Sequence, residues 1–367
     1  MKKTLIAALL GFAFTFGVQA ADTIKIALAG PTTGPVTQYG TMQNIGAKMA
    51  IEKLNAAGGM NGKQLEAVIY DDACEPKQAV TVANQIVRDK IDFVIGHLCS
   101  SSTIPAAKIY DEEGIVMISA ASTSPELSQK GYHTVFRTIG LDSQTAPIAA
   151  QYIAEKIKPK KIAVLHDKQQ YGQGLAESVR DDLKKYGREV DFFEGVNKGQ
   201  TDFSALITKL KREGVDLVYW GGYHPEFGLI VRQGRDQGFT PTYIGADGIA
   251  NDDVFAIAGD AAKNILVTIP TDFSTLPANA DLVKAFKDKG EDPSGPFVMP
   301  AYAALKVIVD SANELKTDDP EKIADLLRSG KVYQTPIGEI SFQQNGDLKS
   351  FPFAVYVMNK DGKVLAP

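Results

Sequence analysis

The sequence holds only two cysteines and four histidines in 367 residues, and neither type is spaced as metal ligands are. That scarcity argues against a metal site. No phosphate-loop motif occurs, and Gly172-Gln173-Gly174 lacks the third glycine of a dinucleotide fingerprint, so no cofactor is expected. There is no basic stripe and no Lys/Arg run beside aromatic residues, which argues against nucleic acid as a partner. Beyond the N-terminus no apolar run approaches the roughly 20 residues of a membrane span. No Pro/Gly-rich or charged linker, low-complexity tract or short repeat divides the chain.

What is present begins at the N-terminus. MKKTLIAALLGFAFTFGVQA has a positive n-region at Lys2 and Lys3, then an apolar stretch from Leu5 to Val18. Val18-Gln19-Ala20 puts small residues at the two positions a signal peptidase reads, so residues 1–20 read as a signal peptide cleaved after Ala20. The remaining 367 − 20 = 347 residues suit two domains better than one core. Without those two lysines the balance is 37 − 44 = −7, ordinary for a soluble protein. In an exported chain an even pair of cysteines, Cys74 and Cys99, reads first as a disulfide.

Short apolar runs recur along the chain: IKIALAG (24–30), LEAVIYD (65–71), DFVIGHL (92–98), IVMISA (115–120), KIAVLHD (161–167), EVDFFEG (189–195), DLVYWGG (216–222), TYIGAD (242–247) and NILVTIP (264–270). Most end at Gly, Asp or Ser, and their near-continuous apolar character predicts strands buried on both faces. Helical spacing fills the gaps, for example over 42–57, 77–89, 174–186 and 298–315. Alternation of this kind predicts an α/β protein of two Rossmann-like lobes, each a parallel sheet covered by helices.

Ligands of open α/β sheets sit beyond the carboxyl ends of the strands. Two strand ends here are rich in hydroxyls: Cys99-Ser100-Ser101-Ser102-Thr103 and Ala121-Ser122-Thr123-Ser124. Both are expected to open helices, where Ser and Thr cap and free N–H groups favour anions. Other strand ends offer Tyr171, Tyr223 and one carboxylate, Asp247. Hydroxyls on one wall, with an acid and aromatics on the other, would suit a zwitterion with an apolar side chain, an α-amino acid.

The segments TGPVTQYG, YDDACEPKQAVTVAN, VIGHLCSSST, RTIGLDS, HDKQQYG, GGYHPE, GIAN, DPSG and GDLK closely resemble the periplasmic leucine/isoleucine/valine-binding proteins. These are the solute-binding components of branched-chain amino-acid ABC transporters, and the resemblance covers the whole chain after the signal segment. It implies a type I periplasmic-binding fold with three hinge crossings. One lobe would comprise 22–141 and 270–349, the other 142–269 and 350–367. It also implies a Cys74–Cys99 disulfide, a periplasmic location, a monomer, and an inner-membrane ABC permease as partner. Ser100, Thr123 and main-chain groups around Ala121 and Ser122 would hold the ligand carboxylate. Tyr171 and Tyr223 would close over the ligand, Asp247 would hold its ammonium, and Tyr39, Leu98 and Phe297 would border its side chain. Three positions depart from the family: Asp247 in GADG stands where a glutamate in GPEG is usual, ISAASTS (118–124) lacks a common proline, and Met299 replaces a frequent tryptophan. Aspartate reaches about 1.5 Å less far than glutamate, so the ligand would sit closer or a water would bridge. These changes bear on ligand range, branched-chain or broader.

A ligand-binding sensor subunit would share this fold and pocket. A hydrolase would need a nucleophile, a base and an orienting group. His97, Cys99 and Ser100 are near one another, but an oxidised Cys99 cannot act as a thiolate. Ser100 lies in no Gly-x-Ser-x-Gly elbow. His166-Asp167 and His224 read as hydrogen-bonded structural residues, and Asp71-Asp72 as loop-forming acceptors. No catalytic set assembles, and a binder is expected.

Overall fold

The computed structural model describes residues 23–360 and 362–367, so the expected signal peptide lies outside the described residues. The chain begins β1 (Thr23–Gly30), α1 (Thr37–Ala56), β2 (Gln64–Asp71), α2 (Pro76–Arg88), β3 (Phe93–Ile95), α3 (Ser100–Glu112), β4 (Val116–Ser119), α4 (Glu126–Gln129) and β5 (Val135–Arg137). These strands form one parallel sheet in the order β2-β1-β3-β4-β5. A second passage follows: α5 (Asp142–Tyr152), β6 (Ile162–His166), α6 (Gln170–Lys185), β7 (Phe192–Gly195), α7 (Ser204–Arg212), β8 (Leu217–Gly221), α8 (His224–Asp236), β9 (Thr242–Ala246), α9 (Asp253–Ala258) and β10 (Ile265–Pro270). The chain then returns to the first body with α10 (Ala280–Asp288), α11 (Val298–Leu315), α12 (Pro320–Arg328) and the hairpin β11 (Tyr333–Thr335) and β12 (Gly338–Ile340). It ends on the second sheet with β13 (Phe353–Asn359) and β14 (Gly362–Leu365), in the order β14-β13-β10-β9-β8-β6-β7. The chain therefore passes between the two bodies three times: after β5, after β10 and before β13.

The strands alternate their side chains between two helical layers. Ile26, Leu28, Phe93 and Ile95 pack with α1 and α11 on one face of the first sheet. Ala27, Ala29 and Val94 face α2 and α3 on the other. In the second sheet Val164, Tyr219 and Ile244 meet α6, while Leu165, Trp220 and Tyr243 meet α8. Burial on both faces is why these strands read as continuous apolar runs. Truncating such a core side chain costs about 2–5 kcal/mol.

The structure corrects three expectations. The second sheet is mixed, because β13 runs antiparallel to β10 and β14 antiparallel to β13. The hydroxyls do not cap α3: its N-cap is Cys99, without a side-chain cap bond. The Thr103 hydroxyl instead turns back, 3.0 Å from the Cys99 carbonyl. Residues 121–124 open no helix directly; they are irregular, and only the four-residue α4 follows. The cause is competition for their backbone. Ser119 Oγ accepts the Ser122 N–H at 3.0 Å, and the Arg137 guanidinium binds the Ser122 and Ser124 carbonyls at 2.7 and 3.1 Å. Side-chain bonds to the backbone compete in this way with helix formation.

Candidate ligand-binding site

The carboxyl ends of both sheets face one small cavity. Eight of the ten expected ligand residues line it: Tyr39, Leu98, Ser100, Ala121, Tyr171, Tyr223, Asp247 and Phe297. Gly248 lines it as well. Every one of these is buried, so the two bodies are closed over the cavity. Ser122 and Thr123 lie behind its wall. Ser122 Oγ donates to the Leu98 carbonyl at 3.1 Å and meets Thr103 Oγ1 at 2.5 Å, which ties the ends of β3 and β4 together. Thr123 Oγ1 is buried with no well-formed hydrogen bond, and the Asp142 carboxyl is its neighbour.

The first wall is held rigidly from behind. α3 begins at Ser100, which brings its N-terminal N–H groups and partial positive charge to the cavity. Cys74 and Cys99 are joined in a disulfide with Cα atoms 5.5 Å apart, which fixes the loop just ahead of Ser100. Arg137, itself buried, clamps the 122–124 carbonyls and pairs through Nε with Asp347 Oδ1 at 2.7 Å. Burial pulls the Arg137 pKa down, and the Asp347 and Asp142 charges oppose that.

The second wall carries the negative charge. Tyr171 stands in the first turn of α6, Tyr223 is the N-cap of α8, and Asp247 follows β9. Their rings stack in a tilted pair with centroids 5.2 Å apart. Tyr171 OH donates to Asp247 Oδ1 at 2.5 Å and accepts the Gly248 N–H at 3.1 Å. Gly248 is needed for this close approach: a Cβ there would lie 2.4 Å from the Gly222 carbonyl and 2.7 Å from the Tyr171 ring. Burial raises the Asp247 carboxyl from 3.8 to about 6, against the bonds from Tyr171 and Gly248 that lower it. Asp142, which opens α5, is raised further, to about 8, by burial first and by the Asp247 charge second. The Asp247 charge adds to burial at Asp142, and an opposite charge placed beside two such carboxyls is stabilised.

A model of the periplasmic binding protein family matches residues 23–363. The chain belongs to the periplasmic binding protein family. It is 53% identical to the leucine-, isoleucine-, valine-, threonine- and alanine-binding protein of Pseudomonas aeruginosa over 97% of this chain and 95% of that protein. It is 48% identical to the Leu/Ile/Val-binding protein of Escherichia coli K12, over 98% and 97%. Among solved structures it resembles a leucine-binding protein from Thermotoga maritima, with a TM-score of 0.87, 26% identity, and 94% and 98% of the two chains covered. It also resembles a branched-chain amino-acid transporter substrate-binding protein from Streptococcus pneumoniae in complex with isoleucine, with a TM-score of 0.84, 29% identity, and 94% and 99% covered.

In this periplasmic binding protein the histidines are placed structurally. His97 donates from Nδ1 to Asp72 Oδ2 at 2.6 Å, and its Nε2 accepts from Tyr110 OH at 2.9 Å. All three are fully buried and none lines the cavity. Asp71 and Asp72 hold backbone N–H groups: Asp71 Oδ1 takes Thr32 at 2.8 Å and Ala73 at 3.0 Å, and Asp72 Oδ1 takes Cys74 at 2.8 Å. Asp167 anchors the Tyr171 loop by accepting the Gln169 N–H at 2.9 Å; burial raises it to about 6. Met299 is buried in α11, outside the cavity lining. Among the described residues no group of three or more His, Cys, Asp or Glu could hold a metal. No helix there is long and apolar enough to cross a membrane. Sequence reasoning missed Asp142, a buried carboxyl beside Thr123 that responds to the Asp247 charge. Its only signal was RTIGLDS, the segment at the first crossing.

Proposed function

We propose that this chain captures an α-amino acid, branched-chain or of a broader apolar to neutral range, and delivers it to an inner-membrane ABC permease. The observation that carries this reading is a closed cavity with a helix mouth and the Ser100 hydroxyl on one wall and a buried carboxyl on the other. The ligand carboxylate is held by Ser100, Thr123 and the N–H groups around Ala121. Its ammonium goes to Asp247, with Asp142 nearby, and its side chain rests among Leu98, Phe297 and the tyrosine rings. The lobes are 22–141 with 270–349, and 142–269 with 350–367. They close because the ligand touches both and so favours the closed state. The protein works as a periplasmic monomer after loss of residues 1–20, and it binds without turning its ligand over. The amino-acid specificities named for the relatives support the choice of ligand class.

A thermal-shift screen against all amino acids and small amides tests this, after bound ligand is removed by unfolding and refolding. A ligand at 100 times its Kd stabilises by about 2.7 kcal/mol. No shift with any amino acid rejects the reading, and product formed from an ester or amide replaces it with a hydrolase.

A further inference from the structure

The Tyr39 ring lines the cavity, but its hydroxyl is fully engaged elsewhere. It donates to the Gly248 carbonyl at 2.7 Å, accepts from Asn251 Nδ2, and lies 3.3 Å from His224 Nδ1. A phenol has one donor and two lone pairs, so no donor is left for a ligand. The Asn251 amide is oriented by its own backbone turn, because Oδ1 accepts the Asp253 N–H at 2.8 Å. That turns Nδ2 toward Tyr39 and toward His224 Nδ1, 2.9 Å away. His224 Nδ1 is thereby an acceptor, and the ring's other nitrogen carries the proton. It has the Pro35 carbonyl as acceptor, and Asp253 Oδ2 lies 3.6 Å from Nε2. Gln38 Nε2 completes the cluster by donating to Asp253 Oδ1 at 3.3 Å.

The lobe membership of these groups gives the cluster its meaning. Pro35, Gln38 and Tyr39 come from the loop after β1 and the start of α1, on the first body. His224, Gly248, Asn251 and Asp253 come from the second. Tyr39, His224 and Asn251 are all buried, and of these three only Tyr39 borders the cavity.

We propose that Tyr39, His224 and Asn251 form a closure latch that sets the affinity for every ligand by the same factor, without reading the ligand side chain. This rests on the reading of the protein as a two-lobed amino-acid binder. The bonds of the Tyr39 hydroxyl and of His224 to the Pro35 carbonyl exist only when the bodies meet, so they stabilise the closed state and not the open one. Observed affinity scales with the population of the closed state, whichever ligand occupies it. Each bond exchanged for water on opening contributes a factor of about two to ten. A hydroxyl fully used between lobes therefore acts on the open–closed equilibrium, and the shape of the pocket is left to Leu98, Phe297 and the ring faces.

The test uses the full secreted chain and Y39F, N251A and H224Q, with leucine, valine and alanine titrated by calorimetry. Y39F keeps the ring against Phe297, 5.6 Å between centroids, and removes only the hydroxyl. Each variant is expected to weaken all three ligands about tenfold, with their ratios unchanged within twofold. A donor–acceptor dye pair across the cleft should report a more open ligand-free population in each. Affinities within twofold of wild type in Y39F and N251A overturn the latch. So does a change in ligand ratios beyond threefold, which would make the hydroxyl a ligand group. If Y39F does not fold, N251A and H224Q decide the question alone. Failure of the underlying reading looks different: the wild type itself then binds none of the three.

Discussion

Asp247→Asn should move stability and binding in opposite directions. The carboxyl is 4% exposed and raised from 3.8 to about 6, mainly by burial. At about 1.4 kcal/mol per tenfold change, its ionisation costs the closed, empty form about 3 kcal/mol at neutral pH. The sign follows from the folded value lying above the unfolded one. The penalty is absent below about pH 4, grows between about 4 and 6, and is constant above. Asparagine has nearly the same shape and keeps an oxygen for the Tyr171 hydroxyl. Removing the charge should therefore raise the ligand-free melting temperature at pH 7.5 by up to about 4 °C for a chain of roughly 350 residues. The gain should fade at pH 4. Binding should respond the other way, because an ammonium desolvated in the closed cleft loses its counter-charge. Breaking such a buried pair costs about 2–5 kcal/mol, or roughly 30-fold to several thousand-fold in Kd. Differential scanning calorimetry and leucine titration of refolded, ligand-free protein measure both. Binding within threefold of wild type would remove Asp247 from the ammonium site, and a lower melting temperature at pH 7.5 would refute the ionisation cost.

Three further outcomes follow from the same structure. Cys74→Ser opens a loop with a sequence separation of 25, worth about 3.5 kcal/mol in the chain-entropy model, and frees the segment that carries Leu98 and Ser100; urea unfolding should show this loss, and an unchanged midpoint counts against it. Asp347→Ala leaves the buried Arg137 without its counter-charge, which should cost about 3–5 kcal/mol and loosen the 122–124 wall; a loss under 1 kcal/mol in the same assay rejects that role. Burial holds His224 at about 4 in the closed form, with Asp253 and the Pro35 carbonyl opposing, whereas an opened ring returns to about 6.5. Closure is thus favoured fully above pH 6.5, and affinity at pH 5.5 should be about tenfold lower on this account. Asp247 and Asp142 also gain protons on acidification, so the measurement is the difference in pH slope between wild type and His224→Gln, and identical slopes exclude the histidine.

The parts of the fold legible in the sequence are those fixed by local burial. Ile26–Ala29, Ile162–Leu165 and Leu217–Trp220 are buried on both faces, and they stand out as apolar runs without reference to anything distant. β5 is hidden because one of its three residues is Arg137, whose counter-charge Asp347 lies far along the chain. The expected helix after Ala121 failed for the same reason, since the groups that hold the 122–124 backbone lie outside it. Residues at strand ends could be nominated as site residues because parallel sheets place ligands there. What each polar atom would bond could not be read. The Tyr39 hydroxyl, bonded to Gly248 and Asn251, depends on two bodies meeting, and a linear pattern carries no record of that.

The two walls differ in what a ligand gives them. The Ser122 and Thr103 hydroxyls already bond each other, Arg137 already holds the carbonyls, and the disulfide already fixes the loop ahead of α3. That wall is prepared in advance and gains little by reorganising. Across the cleft, Asp247 is buried with its ionisation suppressed. On the proposed reading a ligand ammonium would supply the missing charge there once the second body has swung in. On the proposed reading, capture belongs to the first wall and the free energy of closure to the second. Substitutions at Ser100 should then act mainly on association. Those at Asp247 should act mainly on dissociation, because the contact they remove forms last and must break first.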